Sequence, residues 1–257
     1  MSRQIDDQAA LNQLISDCAE ALDSSFSFAF QPIVEIGSLQ LHGNEALVRG
    51  LSEESATSIM EAIRPENQYF FDQACRMRAL EVAARLNMTG FLHLNCTQLR
   101  QENFATSLSA TLNWCMRCGI DSQRVVLEVS NLKPLGRPRQ LNNFQLQAEQ
   151  AGFKVLADNF GATEAGLKRL AVLRPQFVKL DRTLIRNIDR SLRRQAIVRG
   201  IISTCRALGV ELIANGVEHI EEADWLRDAG IRYGQGYLFA RPAFEKAAEI
   251  ATQIRPV

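Results

Sequence analysis

The sequence predicts an α/β fold: a (β/α)8, TIM-like barrel with an irregular antiparallel first hairpin and a leading N-terminal helix. Three observations predict it. First, a unit recurs in which a helix ends in glycine and a short apolar strand follows: Gly90 before FLHLN, Gly119 shortly before RVVLEV, Gly152 before FKVLAD, Gly209 before VELIAN and Gly230 before IRYGQGY, while Gln176 to Leu180 follows Pro175 instead. Glycine takes the left-handed conformation that closes a helix. Second, the roughly 20 to 35 residues between these units are the length of strand–helix crossovers, which require a parallel sheet with helices outside it. Third, the 257 residues suit one closed barrel of about 250, and no G-x-G-x-x-G follows any strand to favour an open doubly wound sheet.

The elements follow in order. Residues 1–24 carry Ile5, Ala9, Leu11, Leu14, Ile15, Cys18, Ala19 and Leu22 at nearly helical spacing, which predicts a leading amphipathic helix; residues 25–257 form the barrel domain. Phe26, Phe28 and Phe30 alternate with Ser27 and Ala29, and a turn at Glu35 to Ser38 leads into LQLHGNEALVR, so the first two strands form an antiparallel hairpin. On that second strand Leu39, Leu41, Gly43, Glu45 and Leu47 share a face, which turns the Glu45 carboxylate inward. Pro65 ends a weakly helical Ser55 to Ile63, and Asn67 to Leu86 is a long helix. The basic stretch Arg186 to Arg199 is threaded by Ile188, Leu192, Ala196 and Ile197, which predicts a solvated outer helix packed through those residues and not a nucleic-acid patch.

Composition narrows the function. With 29 basic and 29 acidic residues the formal net charge is zero, which supplies no long-range field for nucleic acid or an anionic membrane. No apolar run is long enough to span a bilayer and no signal peptide is evident, so the expected location is cytoplasmic. The six dispersed cysteines read as reduced thiols, and the Cys115-x-x-Cys118 pair sits in a helix with no second pair.

Strand after strand ends in a polar residue: Glu45, Asn95, Glu128, Asp158, Lys179, Asn215 and Gln235. In a barrel these ends converge on one mouth. Glu45, Asn95, Glu128 and Asp158 make an oxygen-only set suited to magnesium, manganese or calcium. Lys179 and Asp181, two residues apart, could meet a phosphate or orient a water, and Arg49 could clamp a further phosphate oxygen.

At these positions the chain resembles the EAL family, bacterial phosphodiesterases that linearise cyclic di-GMP, from about Phe28 to Pro242. The matching pieces are Gln31-Pro32-Ile33, Glu45-Ala46-Leu47-Val48-Arg49, Asn95, Leu127-Glu128-Val129, Asp158 with Phe160-Gly161, Lys179-Leu180-Asp181, Gly216-Val217-Glu218 and Gln235-Gly236-Tyr237-Leu238-Phe239. The resemblance implies that Glu45, Asn95, Glu128 and Asp158 hold a first metal ion, that Lys179, Glu218 and Gln235 complete the site, and that Gln31, Leu47, Arg49 and Tyr237 contact the nucleotide.

Departures from the family pattern carry the functional expectation. Where active relatives read Asp-Asp-Phe-Gly this chain has Asp158-Asn159-Phe160-Gly161, which weakens a second metal site. Where they place the proposed general base, it has Asn215. The acid that steadies the loop after strand five is replaced by Asn131, and that loop reads Ala162 to Gly166 in place of Thr-Gly-Tyr-Ser-Ser. An amide cannot take a proton from attacking water, and loss of a positioned base costs about a hundred- to ten-thousand-fold. The expectation is a protein of cyclic di-GMP signalling that is not an enzyme: a receptor holding one magnesium, manganese or calcium ion and no second. Two alternatives stand beside it, a regulator that binds a protein partner and no nucleotide, and a weakly active phosphodiesterase. A homodimer is compatible with the family, although its usual contact region includes the altered loop.

Overall fold

The computed structural model describes residues 26–98, 103–130, 138–162 and 170–251. The expected leading helix, Asn131 and the loop positions Thr163 to Gly166 lie outside the described residues.

Strands β1 (Phe26–Glu35) and β2 (Leu41–Gly50) form the expected antiparallel hairpin. From β2 the sheet runs in parallel register through β3 (Phe91–Asn95), β4 (Val125–Val129), β5 (Lys154–Phe160), β6 (Phe177–Leu180), β7 (Glu211–Asn215) and β8 (Tyr233–Gln235). Antiparallel pairing of β8 with β1 closes the eight-stranded barrel, and a two-residue β9 (Ala243–Phe244) adds to β1. Outside lie α1 (Ala56–Ala62), α2 (Gln68–Arg85), α3 (Phe104–Cys118), α4 (Pro138–Gln150), α5 (Arg182–Ile185), α6 (Leu192–Leu208) and α7 (Ile220–Asp228). Gly119 and Gly209 close α3 and α6 at φ 67° and 68°, the left-handed role the sequence assigned them. No described helix is long and apolar enough to cross a membrane.

Apolar side chains divide between two cores. The larger, including Phe30, Leu80, Leu94, Phe104, Leu127, Phe144 and Leu180, fills the space between barrel and helices. The smaller, Ile33, Val126, Leu156, Phe177, Ile213 and Tyr233, is a separate cluster drawn from six strands and fills the barrel. Two residues towards the mouth from each of its members stand Gln31, Glu128, Asp158, Lys179, Asn215 and Gln235. The strand period of two therefore lays a polar tier directly on an apolar one.

The structure corrects three expectations. Leu39 lies outside β2 at φ 57° and Leu41 is 37% exposed, so no leucine face runs below Glu45. The hairpin register jumps from Ile33 opposite Gly43 to Val34 opposite Leu41, which leaves His42 unopposed as a bulge. The extra residue reverses side-chain parity, and His42 stacks on Tyr233 of the inner core with ring centroids 3.9 Å apart. Glu45 is buried as expected, but it is the last β2 residue paired with β3 and not the end of its strand. In the basic stretch Ile188 is buried, whereas Leu192 is 80% exposed and Ile197 53%. Ser191 caps α6 by accepting from the Arg194 amide, so the helix starts at Leu192 and its inward stripe is Gln195, Val198, Ile201, Ile202 and Cys205.

Candidate functional site at the barrel mouth

Lys179 is the pivot of the polar tier. Its ammonium donates to both oxygens of Glu128 at 2.7 Å and to Glu45 Oε2 at 3.0 Å. Glu45 Oε2 also accepts from Gln235 Nε2 at 2.8 Å, and its Oε1 from Asn95 Nδ2 at 3.3 Å. Gln235 Nε2 reaches Gln31 Oε1 at 3.2 Å, while Gln31 Nε2 donates to the Ala240 carbonyl at 3.0 Å. Six strands thus meet through side chains over an apolar floor. Gly236 makes the turn after β8, where a Cβ would collide with the Val217 backbone.

Burial sets the charges. Lys179 and Glu128 are almost wholly enclosed. Burial alone would raise Glu45, but the Lys179 ammonium and the Gln235 amide hold it down to about 2. Glu128 is raised by burial and by that second carboxylate against the opposing pull of Lys179, and burial pushes Asp158 up to about 7. Burial lowers the Lys179 pKa, but Glu128, Glu45 and Asp158 outweigh it and raise the ammonium above its ordinary value. The carboxyl groups titrate as a coupled set, and near neutral pH part of the acidity at the mouth is held as protons.

The oxygen donors at the mouth are of the kind a hard cation takes. Beside the carboxylates, Gln235 Oε1 is buried with no partner, an oxygen in want of a cation or donor. Among the described residues no three His, Cys, Asp or Glu side chains already stand at ligating separation, because Lys179 occupies the space between Glu45 and Glu128. Asn159, exposed and at φ 53°, turns its Nδ2 onto Asp158 Oδ2 at 2.8 Å, presenting a donor next to that carboxylate.

The remaining sequence-selected residues are less concentrated. Asn215 is half-buried at the end of β7, in register with Gln235. Glu218 is exposed on the following loop. Asp181 caps α5, its Oδ1 accepting from the Thr183 amide and hydroxyl at 2.9 and 2.6 Å, which commits it to the backbone and not to Lys179. Arg49 donates to the Val48 carbonyl at 2.7 Å. Tyr237 is 52% exposed and lies under the Arg241 guanidinium, 4.2 Å from its ring centroid. Leu47 lines a mainly apolar cavity of about 320 Å³ with Val48, Met60, Phe71 and Leu94, open to Asn95.

Sequence reasoning missed three residues. Asp72 pairs with the buried Arg76 and accepts from the Thr97 amide and hydroxyl at 2.9 and 2.7 Å, while Arg76 reaches the Asn95 carbonyl at 3.4 Å; together they fix the chain just beyond Asn95. Their i, i+4 spacing on α2 was the available signal. His93, fully buried, lies 2.9 Å from Glu128 Oε1 through Nδ1. A polar residue alternating with apolar ones in FLHLN was its signal.

The fold and the mouth define a closed, mostly parallel α/β barrel with a polar cluster at the C-terminal strand ends. The chain belongs to the EAL-domain family, which matches residues 15–242. It is 29% identical over 239 residues to the blue light- and temperature-regulated antirepressor BluF of Escherichia coli, spanning 92% of this chain and 59% of BluF. It is 26% identical to the cyclic di-GMP phosphodiesterase RocR of Pseudomonas aeruginosa over 90% of this chain and 61% of RocR. The chain thus spans about three fifths of these two relatives. A standalone EAL protein from Vibrio cholerae O395, solved with cyclic di-GMP bound, superimposes with a TM-score of 0.85 at 32% identity over 90% of this chain and 98% of that one. The calcium and cyclic di-GMP complex of Klebsiella pneumoniae BlrP1 gives 0.82 at 30% identity over 89% of this chain and 58% of that one.

Proposed function

We propose that the chain is a non-hydrolysing receptor for cyclic di-GMP. The observation that carries this reading is the amide of Asn159 donating to Asp158 where the family pattern has a second carboxylate. Hydrolysis through two metal ions needs both to position and activate a water. Asn215 adds a second loss, since an amide there cannot accept the water's proton. Binding needs less. Lys179, Arg49 and the exposed face of Tyr237 offer charge and a stacking surface, and the cavity beside Leu47 offers apolar volume. Glu45, Asn95, Glu128 and Asp158, with the unpaired Gln235 oxygen, would hold one ion, which when bound supplies charge for a phosphate. The chain's own residues orient the dinucleotide and shield it from water.

Calorimetric titration with cyclic di-GMP, with and without calcium or manganese, tests the reading; the expected result is binding at micromolar concentrations with no linear dinucleotide formed afterwards. No heat up to high micromolar ligand would sink it. Turnover at enzymatic rates would instead support a phosphodiesterase. A second reading, a regulator that acts on a protein partner, is favoured by the likeness to BluF, whose name describes an antirepressor.

A further inference from the structure

One buried polar side chain beneath the tier, among the described residues, has no part in the contacts of Lys179. His93 stands on β3 between the mouth and the inner core, wholly buried, its ring 6.2 Å from that of Phe177. It pairs in register with Val126 of the barrel floor, and a leucine or phenylalanine would fit that tier by polarity. Moreover, its Nε2 has no partner, and neither does the Nε2 of His42, whose ring lies 6.3 Å away. A buried, unpaired ring nitrogen costs stability, so what the ring contributes falls to its other nitrogen.

That nitrogen, Nδ1, lies 2.9 Å from Glu128 Oε1. The ammonium of Lys179 is a pure donor and points hydrogens at both Glu128 oxygens. A proton on Oε1 would face those hydrogens, so the hydrogen between Glu128 and His93 belongs to the ring. His93 is therefore the Nδ1–H tautomer, and its Nε2 carries a lone pair, which fits the absence of any acceptor near Nε2.

We propose that His93 is a positioning residue for the mouth: by donating Nδ1–H to Oε1 it holds the Glu128 carboxylate square to Lys179 and sets how readily that carboxylate serves a bound cation or ligand. Second ranks of hydrogen bonds of this kind orient carboxylates and change metal affinity by about ten- to a hundred-fold when removed. What the mouth binds rests on the receptor reading; the hydrogen bond and its tautomer do not.

The test uses three variants and two measurements. Asparagine places an N–H close to where Nδ1 lies, glutamine places one nearer Nε2, and phenylalanine fills the ring volume with no donor. In the wild type, ¹⁵N-correlated NMR of His93 is expected to show a neutral Nδ1–H ring with a slowly exchanging proton, a signal that Glu128→Leu shifts or abolishes. Manganese affinity, read by electron paramagnetic resonance, is expected within about threefold of wild type in His93→Asn and lower by about tenfold or more in His93→Gln and His93→Phe, even though His93→Phe melts no lower than wild type. An Nε2–H tautomer overturns the proposal. So does equal binding by wild type, His93→Gln and His93→Phe, or a loss in His93→Asn as large as in His93→Gln. If the wild type binds no manganese, the single-ion part of the receptor reading fails and the tautomer alone decides the role of His93.

Discussion

Lys179 Nζ lies 2.7 Å from each oxygen of Glu128, and it holds Glu45 as well at 3.0 Å. One buried ammonium thus serves two carboxylates from different strands. Removing it strands both. Lys179→Met is expected to cost about 3–5 kcal/mol in urea unfolding at pH 8, because an uncompensated buried charge is far worse than a buried pair. The loss shrinks at pH 5, where the acids take up protons; an equal loss at both pH values would contradict this account of the mouth.

The raised carboxyl groups give stability a pH slope of definite sign. Asp158, raised by burial to about 7, keeps a proton in the folded protein that an unfolded chain releases near pH 4. The folded state binds more protons in that window, so stability falls as pH rises from about 4 to 7, by up to about 1.4 kcal/mol per pH unit. Asp158→Asn is expected to flatten the slope in urea titrations between pH 4.5 and 8.5, and an unchanged slope would refute the assignment to Asp158.

The same proton must leave when a divalent ion arrives. Manganese or calcium binding at pH 6.5 is expected to release about one proton per ion, and fewer at pH 9. Calorimetry in buffers of different ionisation enthalpy reads this directly. Proton release that does not change with pH would mean that Asp158 is already ionised.

Catalytic repair should need more than one change. Asn215→Glu alone is expected to leave the chain without measurable turnover of cyclic di-GMP. Adding Asn159→Asp and Asn131→Glu is expected to yield slow formation of the linear dinucleotide, detectable by chromatography, because base and second ion work as a unit. Full activity from the single change would show that Asn159 does not weaken the second ion.

Much of this was legible in the sequence because barrels repeat. The glycine-closed helices and the strands after them are local signals, and the polar residues Glu128, Asp158, Lys179 and Gln235 stand at strand ends where a periodic reading finds them. Glu45 was found for a partly mistaken reason. Parity counted back from it fails at His42, because a one-residue bulge is a fact of pairing with β1 and leaves no mark in β2 alone. Leu192 and Ile197 read as core because their spacing is helical, but the cap at Ser191 set the helix phase and turned them out. The spacing of Asp72 and Arg76 marks the pair, but what His93, Asp72 and Arg76 hold lies 35, 25 and 19 residues away, and no pattern along one segment encodes such partners.

The closure between β8 and β1 has a consequence for how the molecule breathes. The other neighbouring strands of the barrel pair over at least three residues, whereas β8 meets β1 only at Val34 with Gly234 and at Glu35 with Tyr233. This seam is the natural place for the ring to unzip, and amide hydrogen exchange should run faster at Tyr233 to Gln235 than in β4 or β5. Gln235 reaches across the seam from β8, donating to Gln31 on β1 and to Glu45 on β2. Anything seated at the mouth therefore also acts as a latch, and its arrival should register as slowed exchange along the hem of the barrel.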